Sequence, residues 1–201
     1  MNNEKLNKSR PRRRNKRSAQ RASAIVQPVF RKIHTVKRVI EETFDISTDG
    51  INPELVAFMF RLVDLPGYTD LTNLFDMYRI DKISIRFTPE YTELTDAALV
   101  SNAVNVYFNS VIDLTDSDAP TSVSELLQYE SLVSTGITKE HSRSWVPTYL
   151  TVKGGIPYRS YVPTSDVSIN HMGLKVAIPP TGVAMTFRAR VTMEVSLANV
   201  N

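Results

Sequence analysis

The 201-residue chain has no cysteine, which excludes disulfides, thiolate metal sites and cysteine nucleophiles together. Histidine is almost as scarce. His34, His141 and His171 lie far apart, so no sequential metal pair exists and each reads as a structural or surface residue. Glycine is sparse too, at seven residues; Gly154-Gly155 runs into Ile156-Pro157 instead of the Lys-Ser/Thr of a phosphate loop and reads as a turn. There is no G-x-S-x-G nucleophile elbow, so hydrolase chemistry has no support and no enzyme activity is expected. No run approaches about 18 consecutive apolar residues, and the N-terminus is too charged for a signal-peptide core. The chain is therefore expected to be soluble, without a membrane span or cofactor.

What the chain does have is charge of one sign at one end. Its overall net charge is only +3. Residues 1–38 hold thirteen bases (Lys5, Lys8, Arg10, Arg12, Arg13, Arg14, Lys16, Arg17, Arg21, Arg31, Lys32, Lys37 and Arg38) against Glu4 alone, a net +12. The other 163 residues carry eleven bases and twenty acids, a net −9. Such asymmetry marks a basic arm whose usual partner is a polyanion. Residues 1–24 have too few apolar side chains to bury a face and should be disordered when free. The run RPRRRNKR at 10–17 places six cations in eight residues, with Pro11 discouraging a helix. All thirteen bases are candidate nucleic-acid contacts. Arg10, Arg12, Arg13, Arg14, Lys16 and Arg17 also suit nuclear import. The arm lacks the amphipathic stripe of a mitochondrial transit peptide.

From Ile25 onward period-2 patterns replace the charge. Val183, Met185, Phe187, Ala189, Val191, Met193, Val195 and Leu197 alternate with mostly polar residues, predicting a long antiparallel strand with one buried face. Ile83, Ile85 and Phe87 alternate with Ser84, Arg86 and Thr88 before Pro89. Weaker patterns at 36–46, 55–63, 103–111, 132–138, 145–152 and 172–178 bring the strands to eight. Two short segments read as helical, 69–75 and 122–129, the second with the Ser122/Glu125 spacing of a capping box. Eight strands joined by connections as long as 64–76 and 153–171 predict an all-β, eight-stranded jelly-roll sandwich. The expected division is a basic arm over 1–35 and a jelly-roll domain over 36–201. A folded body of about 160 residues buries roughly 70% of its unfolded surface and needs no metal or disulfide to fold.

Two features admit a binding role beside a structural one. Asp113, Asp116 and Asp118 could offer carboxylates to a Ca²⁺ ion bridging subunits, but without the spacing of a calcium loop they read first as a solvated loop. Trp145, Tyr149, Tyr158 and Tyr161, interspersed with Arg143, Lys153 and Arg159, could stack on bases or sugars, or pack in the core. The connections bearing Pro66, Pro120, Pro147, Pro157 and Pro163 are expected to form subunit contacts, being stiff where they meet.

Three stretches carry a family resemblance: FDMYRIDKISIRFTPEYTE at 75–93, HSRSWVPTYL at 141–150, and HMGLKVAI at 171–178 with FRARVTMEVSL at 187–197. In their order and spacing, behind an Arg-rich arm, they resemble the capsid proteins of circoviruses and related circular, Rep-encoding single-stranded DNA viruses. The arm is shorter than in many circoviruses, and cysteine is missing. The resemblance implies a jelly roll that assembles into a sixty-subunit, T=1 icosahedral shell, packages a circular single-stranded DNA genome and engages host nuclear import machinery. It implies residence in the virion, and in the host cell nucleus during assembly. Exposed loops in that family meet receptors, often glycosaminoglycans, with no residue assigned to that role here. From the residues alone, other readings stay open: a cellular RNA- or ribosome-associated module with a basic tail, a capsid protein of a small RNA or satellite virus, or a jelly-roll lectin or enzyme with such a tail.

Overall fold

The longest alternating run in the sequence becomes one of the two longest strands, around which one sheet is organised. The computed structural model describes residues 33–41, 44–90, 105–150 and 157–200. In chain order these form β1 (Ile33–Glu41), β2 (Ile46–Thr48), β3 (Glu54–Phe60), a 3-10 turn (Leu62–Asp64), α1 (Tyr68–Leu74), β4 (Phe75–Glu90) and β5 (Tyr107–Ile112). There follow α2 (Val123–Leu126), β6 (Val133–Gly136), β7 (His141–Trp145), β8 (Thr148–Leu150), β9 (Pro157–Tyr158), β10 (Val162–Pro163), β11 (His171–Ile178) and β12 (Met185–Val200).

Every pairing among the described residues is antiparallel. One sheet runs β1-β12-β4-β7, with β2 extending β1 along β12 and β10 flanking β4. The other runs β3-β11-β5-β6, with β8 and β9 beyond the end of β5. Each sheet has four main strands and two short flanking ones, so the described residues form twelve strands where eight were expected, and the two layers make the expected jelly roll. The predicted 36–46 strand falls across β1 and β2, and 145–152 spans the end of β7 and β8. Between β1 and β2 the ladder on β12 is held by Asp45, whose carboxylate accepts the Ala189 amide at 2.7 Å.

Between the layers lies an aromatic core. Phe58 and Phe60 from β3, Phe87 from β4, Phe108 from β5, Trp145 from β7 and Phe187 from β12 are buried, with ring centroids 5.0–6.4 Å apart for the neighbouring pairs. Each such side chain contributes about 1.5–3 kcal/mol on burial, which accounts for folding without cross-links. Trp145 packs over Gly173, where a Cβ would lie 2.3 Å from the indole nitrogen, and the indole N–H donates to the Met172 carbonyl at 3.2 Å.

In β4 the buried positions switch parity, from Tyr78 and Ile80 to Ile83, Ile85 and Phe87. Asp81 is the extra residue of a bulge opposite the Glu194/Val195 step of β12. Its carboxylate accepts from Arg79 at 2.6 Å and from the Ser196 hydroxyl, so the unpaired position is hydrogen-bonded.

Helix α2 uses half of its predicted capping box. Ser122 Oγ accepts the Glu125 amide at 3.2 Å, but the Glu125 carboxylate turns to the amide and hydroxyl of Thr121, each at 2.7 Å. The helix accordingly spans one turn, shorter than the predicted 122–129 segment, and hydrogen-bonded turns continue to Leu132.

Candidate nucleic-acid interface

Of the thirteen bases assigned to nucleic-acid contact, eleven (Lys5, Lys8, Arg10, Arg12, Arg13, Arg14, Lys16, Arg17, Arg21, Arg31 and Lys32) lie outside the described residues. So does the import cluster at 10–17. Lys37 and Arg38 fall in β1, both exposed, and the Lys37 ammonium lies 3.4 Å from Glu194 of β12. β1 begins at Ile33, where the chain is already paired to Ala198. The basic N-terminal segment therefore joins the body at β1, the edge strand of the β1-β12-β4-β7 sheet among the described residues.

The outward face of that sheet carries cations and hydroxyls in register. On one rung Glu41 of β1 stands opposite Arg190 of β12, Arg190 opposite Arg86 of β4, and Arg86 opposite Ser142 of β7. On the next, Val39, Thr192, Ser84 and Ser144 run in a row across all four strands, with the two serine hydroxyls 2.9 Å apart. The two rungs line an open cavity of about 450 Å³. At its margin Glu140 reaches Arg86 at 3.2 Å, and Glu90 reaches Arg188 at 2.8 Å. Sequence reasoning placed Arg86, Arg188 and Arg190 on the polar face of their strands but gave them no role. What it lacked was the register that sets Arg86 against Arg190.

The opposite sheet presents another chemistry. Residues 113–130, between β5 and β6, contain five carboxylates and no base. Among the described residues the cation they meet comes from β11: Lys175, 3% exposed, lies 3.0 Å from Asp113 and 2.5 Å from Asp116. Tyr129 donates its hydroxyl to Asp113 at 3.2 Å. Burial raises the Asp113 carboxyl, but the Thr115 hydroxyl and amide and the Lys175 ammonium outweigh it and hold the group down at about 2. Burial likewise works against the Lys175 ammonium, and its two carboxylate partners outweigh it and push the pKa up. An ammonium thus occupies the place considered for Ca²⁺, and Asp118 only donates its amide to Asp116. Among the described residues no three acidic or imidazole side chains are placed to hold a metal.

The seam between the sheets is polar at its β7 side. His141 hydrogen-bonds Ser110 of β5 at 2.7 Å and Thr135 of β6 at 2.9 Å, and Arg143 donates to the Ser131 carbonyl at 2.9 Å. Burial, reinforced by Arg143, pushes the His141 imidazole down to about 4. His171 is buried beside Tyr149 and Tyr78 and is also pushed down to about 4 by burial. Through these bonds His141 and Arg143 tie the layers together. Of the aromatic stretch, Trp145 and Tyr149 are buried in the core, and Tyr149 meets the Ser160 hydroxyl at 2.5 Å. Tyr161 lies under the Arg79 guanidinium at 4.9 Å.

Large apolar side chains exposed to solvent occur both on strands (Ile33, Val39, Met59, Tyr107, Val133) and in connections (Ile51, Leu127, Val146). Ile51 is the most exposed, at 79%, on a turn fixed by Asp49, which accepts the Ile51 and Asn52 amides at 2.8 Å each.

Comparison with known proteins agrees with this architecture. The structure is similar to the capsid protein of BFDV solved as a 60-mer, with a TM-score of 0.61 and 13% identity over 84% of this chain and 94% of that one. It is similar to the same protein solved as a decamer, with a TM-score of 0.58 and 16% identity over 84% and 100%. The Cucumber Necrosis Virus structure shares the fold at a TM-score of 0.55 and 14% identity, over 84% of this chain and 57% of that one. No curated protein matches the sequence. At such identities the structural likeness speaks to fold, a viral capsid jelly roll. The model of the circovirus capsid protein family matches residues 6–201, nearly the whole chain, and the protein belongs to that family of virion shell proteins.

Proposed function

We propose that sixty copies of the chain close into a T=1 shell that packages circular single-stranded DNA, with the basic N-terminal segment drawing the genome in. The observation that carries this reading is the charge split, +12 over residues 1–38 against −9 for the rest, in a capsid protein. Sixty such segments supply on the order of 700 positive charges, and neutralising phosphates with them releases counterions, so entropy drives filling. The BFDV capsid protein, of the same fold, has been seen as a 60-mer, which supports the shell size. The import reading rests on the cluster at 10–17, and family membership sets aside the cellular-module alternative.

Subunit contacts in this reading are made through the connections, with the rigid Ile51 turn among them. Ile51→Asp is expected to leave a folded chain that sediments as small species while the wild type forms particles.

Deleting residues 1–24 is the test of packaging. The expected result is a folded protein whose particles contain no nucleic acid, while full-length particles release material digested by deoxyribonuclease. Wild-type loading in the deletion overturns the role of the arm. Cargo digested only by ribonuclease overturns the DNA assignment.

A further inference from the structure

The end of the β3-β11-β5-β6 sheet where β3 begins carries two apolar features in solvent, one raised and one hollow. The raised one is Ile51, the most exposed of the large apolar side chains among the described residues, on a turn whose backbone is fixed. Asp49 accepts the Ile51 and Asn52 amides at 2.8 Å each and the Asn52 side-chain amide at 2.7 Å, and the Gly50 carbonyl accepts the Gly182 amide at 2.8 Å. At Gly50 φ is +82° and a Cβ would lie 2.6 Å from the Val183 backbone, so the turn is pressed against the β11–β12 connection. The hollow one is an open groove of about 390 Å³ whose apolar lining is Val106, Tyr107, Val123, Leu127 and Pro179 and which no charged side chain enters. Two of these groups stand well into solvent, Leu127 at 57% exposure and Tyr107 at 52%. Contiguous apolar surface of this kind marks an interaction site.

We propose that the groove receives the Ile51 turn of a neighbouring copy of this chain, head to tail around a symmetry axis of the shell. The proposal rests on the shell reading and names the two surfaces that meet. Three observations select the occupant. The first is placement. Ile178 pairs with Glu54 and Ala177 with Asn109, so the turn before β3 and the groove beside β5 share one end of the sheet. They lie on opposite sides of β11, two to three strand spacings or roughly 10–15 Å apart. A turn latched at β3 does not reach its own groove, and a knob on one flank with a hole on the other joins identical copies into a ring. The second is charge. Asp49, at the base of the knob, forms no ion pair among the described residues, and hydrogen bonds from Asn52 and Ile51 hold its carboxyl below the ordinary range. Lys139, exposed and likewise without an ion pair among the described residues, lies on the turn after β6, whose Gly136 pairs with Tyr107 of the groove. Docking brings that carboxylate toward that ammonium. The third is preorganisation: the knob is already rigid, so seating Ile51 orders little backbone.

The test is site-directed cross-linking in assembled particles, made specific by the absence of native cysteine. Full-length Ile51→Cys and Leu127→Cys chains, one of them carrying a short tag, are mixed, assembled, oxidised and separated without reductant. Tyr107→Cys offers the other wall of the groove and replaces Leu127→Cys if that variant does not assemble. A disulfide forms only where the two Cα atoms come within about 7 Å, so it reports direct contact. The expected product is a mixed dimer that particles of either variant alone do not give. The double variant I51C/L127C should give a ladder that ends at five or three chains, the closed rings of a T=1 shell. Particles that form normally yet yield no mixed dimer with either wall overturn the docking and assign the groove to another occupant, such as the chain's own 91–104 connection. Self-cross-linking of Ile51→Cys alone, or a double variant that stops at dimers, overturns the head-to-tail ring and places a two-fold axis there. Wild-type chain that never forms particles contradicts the shell reading instead, so the two failures are distinguishable.

Discussion

The two sheets of the sandwich handle charge in opposite ways. On the β3-β11-β5-β6 side, Asp113 and Asp116 close over the buried Lys175 of β11. On the β1-β12-β4-β7 side, Arg86, Arg188 and Arg190 stand at the surface, the first and third opposed and flanked by hydroxyls. Net charge alone conceals this. A body of −9 still carries these arginines on one face, where Glu90 and Glu140 reach two of them. Charge placed at depth governs stability, and charge left at the surface contributes little to it.

That contrast can be broken most severely from the covered side. Lys175→Met leaves Asp113 buried without its cation and should cost about 3–5 kcal/mol in urea denaturation. A loss below about 1 kcal/mol would mean that the triad is solvated. In the same strand, Gly173→Ala puts a methyl group against the Trp145 indole at a φ of +145° that side chains avoid, and should cost about 3 kcal/mol by the same measurement.

Acid sharpens the comparison next. His141 and His171 are held neutral in the fold at about 4, whereas in the unfolded chain they protonate near 6.5. The unfolded state therefore binds more protons in this window. Stability should be complete above about pH 6.5 and fall toward pH 4 by about 1.4 kcal/mol per pH unit for each histidine. Asp113, held at about 2, adds its own loss only below about pH 4. Thermal denaturation between pH 7 and 5 checks the first phase, and a flat profile contradicts the burial of these imidazoles. The smallest effect belongs to the open face: Ser142→Ala and Arg188→Gln should each shift stability by no more than about 0.5 kcal/mol in that assay.

The sequence made the architecture legible wherever alternation was unbroken. β12 and the second half of β4 could be read residue by residue. The first half of β4 could not, because the Asp81 bulge reverses which side chains point inward, so Phe75–Ile80 breaks the period set by Ile83, Ile85 and Phe87. β11 is buried along its whole length and has no alternation to find. The role of Lys175 was hidden for a related reason: its partners are 59 and 62 positions away, and only the β11–β5 register brings them together. Local spacing suggested calcium where the fold supplies its own cation. The arm was evident from composition alone. The arginine face was not, since Arg86 and Arg190 become neighbours only when β4 and β12 pair.

The polarity of the body is tested most directly by a cryo-EM reconstruction of the assembled, nucleic-acid-filled particle. The β1-β12-β4-β7 sheet, at whose β1 edge the basic segment enters, should face the lumen and the packaged nucleic acid, with the 113–130 connection on the outer side. A particle with that acidic connection facing the genome and the arginine face outside would contradict it.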